Sequence, residues 1–331
     1  FLYTVSEKIN LYNLAQSLGY KPKTIIPSQV DLDIMQLLPS IGEGSETAPD
    51  WSYALSIKDN MQVSTDDGIK FRTVNSVDFR FSSSIDPTTV SIYSENPDGS
   101  IEYYLIKKTV KACAGDIQTE TFDFTNPKIY DKIVLLEPNV CSIIDITDSE
   151  GDIWYEVPYL AQDLVPIALR NIPYYDSVLH EYQDAAPYLL TYKQTEKRFV
   201  TRLRKDDKIE IQFGAGLSQE ADEEIVPNPY NVAIGLDYFK RVEDVSIDPM
   251  NFLYTKTYGR CPSDTTLTVR YSLASGEDEN VDASTITNID SINVNNPYEN
   301  INTVIFNSIV DSVTVNNPEP AYGGLNKKPL D

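Results

Sequence analysis

Apolar and polar residues alternate with a period of two along much of this chain, most regularly in TTLTVRYSL, residues 265–273. Leu267, Val269, Tyr271 and Leu273 point one way, and Thr266, Thr268, Arg270 and Ser272 the other. That pattern predicts a strand with one dry and one wet face. The aromatic-rich stretch 251–258 precedes it across a turn cluster at 259–264, so the two are expected to lie side by side. Looser alternation predicts a strand within 25–41, bounded by Pro27 and Pro39. Further strands are predicted at 51–57, 69–72, 76–82, 90–95, 102–112, 118–124, 132–136, 143–147, 153–157, 187–194, 198–204, 208–213 and 285–294. Asn96-Pro97-Asp98-Gly99 and Ser149-Glu150-Gly151-Asp152 carry hairpin-turn chemistry, and Arg204-Lys205-Asp206-Asp207 turns another pair. Residues 158–173 read as a helical turn or a bridging segment broken by Pro166, and 303–315 as a β-branched run.

The clearest helical period is at 5–19, VSEKINLYNLAQSLG. Ser6 is the candidate N-cap, with Glu7 in the first turn. Ile9, Leu11, Tyr12, Leu14, Ala15 and Leu18 give a broad apolar face, and Gly19 and Pro22 stop the helix. Such a face must pack on something. Leu11, Leu14, Leu18 and Tyr20 are therefore the candidate interface residues, expected to meet another chain.

These elements predict a mainly β chain, α+β overall. It would comprise antiparallel β-sandwich or barrel-like domains with an N-terminal amphipathic helix and extended arms. The expected division is a helix and linker arm at 1–45, a β domain at 46–160, a second β domain at 161–294, and an extended exit arm at 295–331.

Charge narrows the partners. With 27 Lys+Arg against 50 Asp+Glu, the 331-residue chain carries −23. So acidic a surface disfavours nucleic-acid phosphates and anionic membranes and favours basic partners. The 22 tyrosines suit strands and interfaces. Cys113, Cys141 and Cys261 match no CxxC spacing and no disulfide framework, so free thiols are expected. There is no N-x-S/T sequon and no apolar run long enough to span a bilayer. The chain begins at Phe1 and ends on Lys327-Lys328-Pro329-Leu330-Asp331, so a piece of a longer polypeptide is expected.

Several short motifs carry a resemblance. Tyr258-Gly259, then Pro262-Ser263 and Thr265-Thr266-Leu267-Thr268-Val269 with Tyr271, then Gly276 and Asn280-Val281, resemble a run in the baseplate wedge proteins of contractile phage tails, the baseplate J-type family. Leu18-Gly19-Tyr20 with Pro22, Phe213-Gly214-Ala215-Gly216, Pro227-Asn228-Pro229-Tyr230-Asn231, and Asn317-Pro318-Glu319-Pro320-Ala321-Tyr322-Gly323-Gly324 are similar to further family stretches and occur in the same order. The departure is Ala274-Ser275-Gly276-Glu277, where the family has a glycine-rich loop; here it should be stiffer and more acidic. In that family the last motif leads into a further α/β domain, which would be missing here.

Candidate chemistry adds little. His180 is the one histidine, without a local pattern for nucleophilic catalysis. No HExxH, GxSxG or Walker pattern is present. Gly214-Ala215-Gly216 reads as a tight turn, since no third glycine or Lys-Ser/Thr follows it. Among the acidic clusters, 66–68, 148–152 and 277–280, the run from Asp148 to Asp152 is closest to a calcium loop. Its twelfth position, however, is Tyr159 and not a bidentate Glu. The expectation is no catalytic, cofactor or metal site.

The resemblance implies a structural, non-enzymatic role in a virion. The chain would join other copies of itself and other wedge and hub proteins in a tail baseplate, assembled in the host cytoplasm, and relay the change that triggers sheath contraction. The competing expectation is a receptor- or glycan-binding β module of a tail fibre or adhesin.

Overall fold

Strand Gln29–Ile41 is paired along both edges. One edge runs antiparallel to Ile101–Ala114 over eleven residues, from Gln29 opposite Cys113 to Pro39 opposite Tyr103. The other takes Thr314–Asn316 and, near its end, Ala48–Pro49. These belong to an eight-stranded sheet completed by Gln62–Thr65, Lys70–Thr73, Ile286–Ser291 and Thr89–Glu95. The computed structural model describes residues 7–23, 25–42, 47–84, 86–171, 186, 188–216, 258–295 and 302–326. It is mainly β, 48% strand and 10% helix, with an N-terminal helix and curled antiparallel sheets of half-barrel and near-barrel shape.

Two compact units divide the chain, each drawn from separate stretches. Phe1–Pro22, Ile117–Leu169 and Leu190–Leu273 supply the first; Lys23–Asp116, Arg170–Leu189 and Ala274–Asp331 supply the second. The linear division at 45, 160 and 294 is thus replaced by an interleaved one. The physical reason is pairing between strands far apart in sequence: the supposed linker arm supplies the central Gln29–Ile41 strand.

The exit arm is not extended. Thr303–Asp311 is a helix, capped by Asn302, whose side chain accepts from the Val304 amide at 3.0 Å. Phe306, Ile309, Val310 and Val313 recur at helical spacing and meet the second unit's core. That period, not β-branching, decides the local structure. The following strand and tail then lock in. Asn317 is fully buried with its amide satisfied: Oδ1 accepts from Thr285 and Ile286, and Nδ2 donates to the carbonyls of Asp282 and Glu319. Tyr322 and Gln29 exchange backbone hydrogen bonds, as do Ile26 and Leu325.

In the first unit a seven-stranded sheet runs in the order Lys132–Val134, Ile209–Phe213, Arg198–Leu203, Ile153–Glu156, Val140–Thr147, Thr265–Leu273, Asp116–Phe124. Ile153–Glu156 runs parallel to Arg198–Leu203, whereas Lys132–Val134 with Ile209–Phe213, Val140–Thr147 with Ile153–Glu156 and with Thr265–Leu273, and Arg198–Leu203 with Ile209–Phe213 are antiparallel. Glu120 draws the two ends of this order together: it accepts from the Leu136 amide at 3.0 Å and from the Tyr271 hydroxyl. Inside, Phe213 meets Trp154, Phe124 and Phe199 edge-on at 5.3, 5.7 and 6.5 Å. Leu267, Val269 and Tyr271 are buried as the alternation predicts, and Leu273 packs on the same core. Ser272, on the expected wet face, is nevertheless fully buried. The 251–257 segment expected beside this strand lies outside the described residues.

Other expectations shift locally. Residues 51–53 form a 3-10 turn, and only Ser56–Ile57 and Val77–Asp78 of the strands expected nearby are strand. Leu164–Arg170, expected as a helical turn or bridge, is a strand paired with Tyr188–Gln194. Pro166 is accommodated because this two-stranded pairing leaves edges where no ladder amide is needed.

Candidate interaction surface

Helix Lys8–Ser17 is shorter than expected; its N-cap position is Glu7 without a side-chain cap, and Ser6 lies outside the described residues. Tyr12 donates to Asp207 at 3.5 Å, and Ile9 and Asn13 line a shallow groove with Arg202, Leu203, Arg204 and Lys205. The helix therefore rests on the turn between Arg198–Leu203 and Ile209–Phe213. Leu11 and Leu14 are half-buried, whereas Leu18 and Tyr20 are 75% and 65% exposed. The four candidate residues thus split: two are partly covered by the chain itself and two face out.

A larger apolar surface escaped the sequence reading. Leu164–Arg170 and Tyr188–Gln194 form a sheet of two strands only. Its partners run in opposite order: Thr195 donates to the Asp163 carbonyl at 3.0 Å and Thr191 to that of Ile167 at 3.3 Å. Val165 is buried with Val157 and Val200 and anchors the ribbon's base. Beyond it, every residue from Tyr188 to Gln194 is exposed. Tyr188, Leu190 and Tyr192 share one face and Leu189 lies on the other, and among the described residues neither face is covered. Leu164 and Leu169 of the companion strand are exposed too. The missed signal was in YLLTYKQ, where apolar residues occupy both parities and no carboxylate appears.

The acidic turn singled out for calcium is organised around an ammonium group. Asp148, Glu150 and Asp152 place one carboxylate oxygen each within 4.8 Å of one another. Lys197 Nζ lies 2.6 Å from Asp148, 2.6 Å from Asp152 and 3.6 Å from Glu150. Asp148 also accepts from the amides of Glu150 and Asp152 and from the Trp154 indole at 3.1 Å. Burial opposes the charge on Asp148, but these hydrogen bonds and the Lys197 charge outweigh it and hold the carboxyl below its usual range. Lys197 is also opposed by burial, yet its bonds to Asp148 and Asp152 carry it above the usual lysine range.

In the second unit, a cleft of about 510 Å³ is lined by Lys107, Lys108, Thr109, Ser83, Thr89 and Tyr188, among others. Lys108 is 2% exposed. Its ammonium donates to the carbonyls of Asp78 and Phe81 at 2.8 and 2.7 Å and pairs with the Asp86 carboxylate at 3.0 Å. Burial lowers its pKa to about 8, against the opposing pull of Asp78. His180 lies outside the described residues.

The motif pairs meet within each unit. Gly216 donates its amide to the Gly259 carbonyl at 2.9 Å and accepts from the Cys261 amide at 2.9 Å. A Cβ on Gly214 would overlap the Gly259 carbonyl, which is why glycine sits there. Asn280 and Gly324 exchange hydrogen bonds of 3.0 and 2.9 Å, and a Cβ on Gly324 would overlap the Gly276 carbonyl. These residues do structural work: each glycine lets two backbones touch. Compared with known proteins, the sequence matches no family model and no curated protein.

Proposed function

We propose that this chain is a structural, non-enzymatic component of a contractile-tail baseplate, a wedge protein that joins other copies of itself and other wedge and hub chains around the central hub and relays the change that triggers sheath contraction. The observation that carries the assembly part is the ribbon of Leu164–Arg170 and Tyr188–Gln194, which carries exposed apolar side chains on both faces and is covered on neither among the described residues. A two-stranded ribbon in water is marginal alone, and exposed apolar surface of this kind marks a contact made in an assembly. Leu18 and Tyr20 beside the helix end are further exposed apolar residues. The baseplate part rests on the shared order of the motifs, of which Gly214 and Gly216 with Gly259, and Asn280 with Gly324, form close backbone joints, while 227–231 lies outside the described residues. The polar clusters fit this role as well, because Lys197 and Lys108 are each engaged by acceptors of their own unit.

Negative-stain microscopy with a gold-labelled antibody against this chain tests the reading on contractile particles from cells that make it. Label at the baseplate end of the tail is the expected result. Label confined to fibre tips would favour the second reading, a receptor- or glycan-binding module, which the Lys108 cleft with its hydroxyls and Tyr188 suits. Particles that never carry the label would end both.

A further inference from the structure

We infer that the second unit is a self-modifying domain: Lys108 Nζ and the Asp86 side-chain carboxyl condense to an amide, an internal cross-link in the wall of the cleft. The two groups are set against each other, with Nζ 3.0 Å from Asp86 Oδ2. Both are held there. Lys108 sits between Ile106 and Val110 on the buried face of strand Ile101–Ala114 and is 2% exposed. Its Nζ donates to the Asp78 and Phe81 carbonyls and lies 5.5 Å from the centre of the Phe81 ring. Those acceptors are fixed in turn. Arg80 clasps the Asp78 carboxylate at 2.9 and 2.8 Å, and the Phe81 carbonyl also accepts from the Thr88 hydroxyl at 2.7 Å. Asp86 is placed by Ser83: its amide donates to Ser83 Oγ at 3.1 Å, and its carbonyl accepts from the Ser83 amide at 3.2 Å. Asp86 Oδ2 is itself buried. An amine and a carboxyl kept in contact by a folded frame react as though extremely concentrated.

Burial also brings the neutral pair within reach, because it opposes both charges. It lowers the Lys108 pKa to about 8 against the pull of Asp78, so roughly a tenth of the side chain is nucleophilic amine at pH 7. In the neutral pair the amine attacks Cγ of the protonated carboxyl. The N–Cγ bond forms and the Cγ–Oδ2 bond breaks. One amine proton leaves with the hydroxyl as water, into the cleft that Lys108 and Asp86 both line. Ammonium and carboxylate thus become amide and water, with no oxidant or reductant. Asp86 lacks the usual side reaction of aspartate, since Pro87 follows it and has no N–H on which the carboxyl could cyclise. The product ties the loop after Val77–Asp78 to strand Ile101–Ala114 and, like a disulfide, constrains the unfolded chain. None of this depends on the baseplate reading.

Intact-mass spectrometry of the full chain reads the bond directly. Parent, Lys108→Met and Asp86→Ala are held near pH 8 over several days. The parent should become lighter than its sequence by one water, and both variants should keep their full masses. Trypsin locates the link. In the condensed parent the chain is not cut after Lys108, and residues 81–107 emerge joined to 108–111; an unlinked chain is cut there and releases them apart. That peptide is read on the parent alone, so a variant that folds poorly does not decide the matter. A parent that keeps its full mass throughout leaves an ion pair only and overturns the inference. So does a water lost equally by Lys108→Met, which would mark dehydration elsewhere, as at Asp98-Gly99. The amide has no proton to lose, so the titration of Lys108 belongs to the chain before condensation and fades as the bond forms. No mass result bears on whether the antibody label reaches the baseplate.

Discussion

Lys197 shows how one side chain settles the character of a turn. Three carboxylates crowd the 148–152 loop, and the ammonium lies among them. Lys197→Met should leave the nearly buried Asp148 charge without its partner and cost about 2–3 kcal/mol, less than a fully buried pair because Asp152 and Glu150 are solvated. Urea denaturation at neutral pH measures it. The pH dependence follows from the lowered Asp148 pKa: its stabilisation is present above the ordinary Asp value and is lost as pH falls through the lower folded value. Lys197, raised, contributes stability below its ordinary value that is lost as pH rises through the folded one. The acid limb should flatten in Lys197→Met. Lys108 behaves oppositely. Its folded pKa of about 8 lies below the ordinary 10.5, so between these values the unfolded chain binds more protons and stability rises with pH. Parent stability should climb relative to Lys108→Met from pH 8 to 10, by on the order of 2 kcal/mol. A parallel pair of pH profiles would refute it.

At the scale of the element, alternation is the property that transferred best from sequence to structure. Strand Thr265–Leu273 has the bounds and the dry face its pattern predicts, because one face meets a packed core, while the other is less covered except at Ser272. Val269→Asp should unfold the first unit, costing about 4 kcal/mol or more. Thr268→Asp, half-buried opposite Thr147, should cost far less; melting of the two variants compares them. A mild Val269→Asp would mean the core contact is wrong. What sequence could not show was partnership. The 303–315 run is β-branched in composition but helical in period, and the core it meets is built mainly by residues more than two hundred positions away. Of the ribbon, the strand at 187–194 was expected, but its companion was not, for a related reason: Pro166 suggested a break, while the strand that makes an edge position harmless lies some twenty residues on. The interface residues divided because helix Lys8–Ser17 uses Ile9 and Tyr12 against its own unit and leaves Leu18 and Tyr20 outside.

On the scale of the whole molecule, the chain passes between its two units five times. The second unit depends on its last described stretch, with Asn317 as the knot. Asn317→Ala removes two acceptor and two donor contacts from a fully buried site and should cost about 2–4 kcal/mol. Limited proteolysis should then cut within the second unit before the first. Loss of protection in both units at the same protease dose would show that they unfold as one. The pairing of Asp33 with Asn316 also has a consequence in time. A ribosome adding roughly 5–20 residues per second needs roughly 15 to 55 s to travel from one to the other. Throughout that interval the growing chain carries strand Gln29–Ile41 with one edge still waiting for its mate, and an open edge is what sticks to neighbours. Polysomes translating this message hold many such chains close together. Yield of native protein should therefore depend on how densely ribosomes are loaded and on how quickly they move.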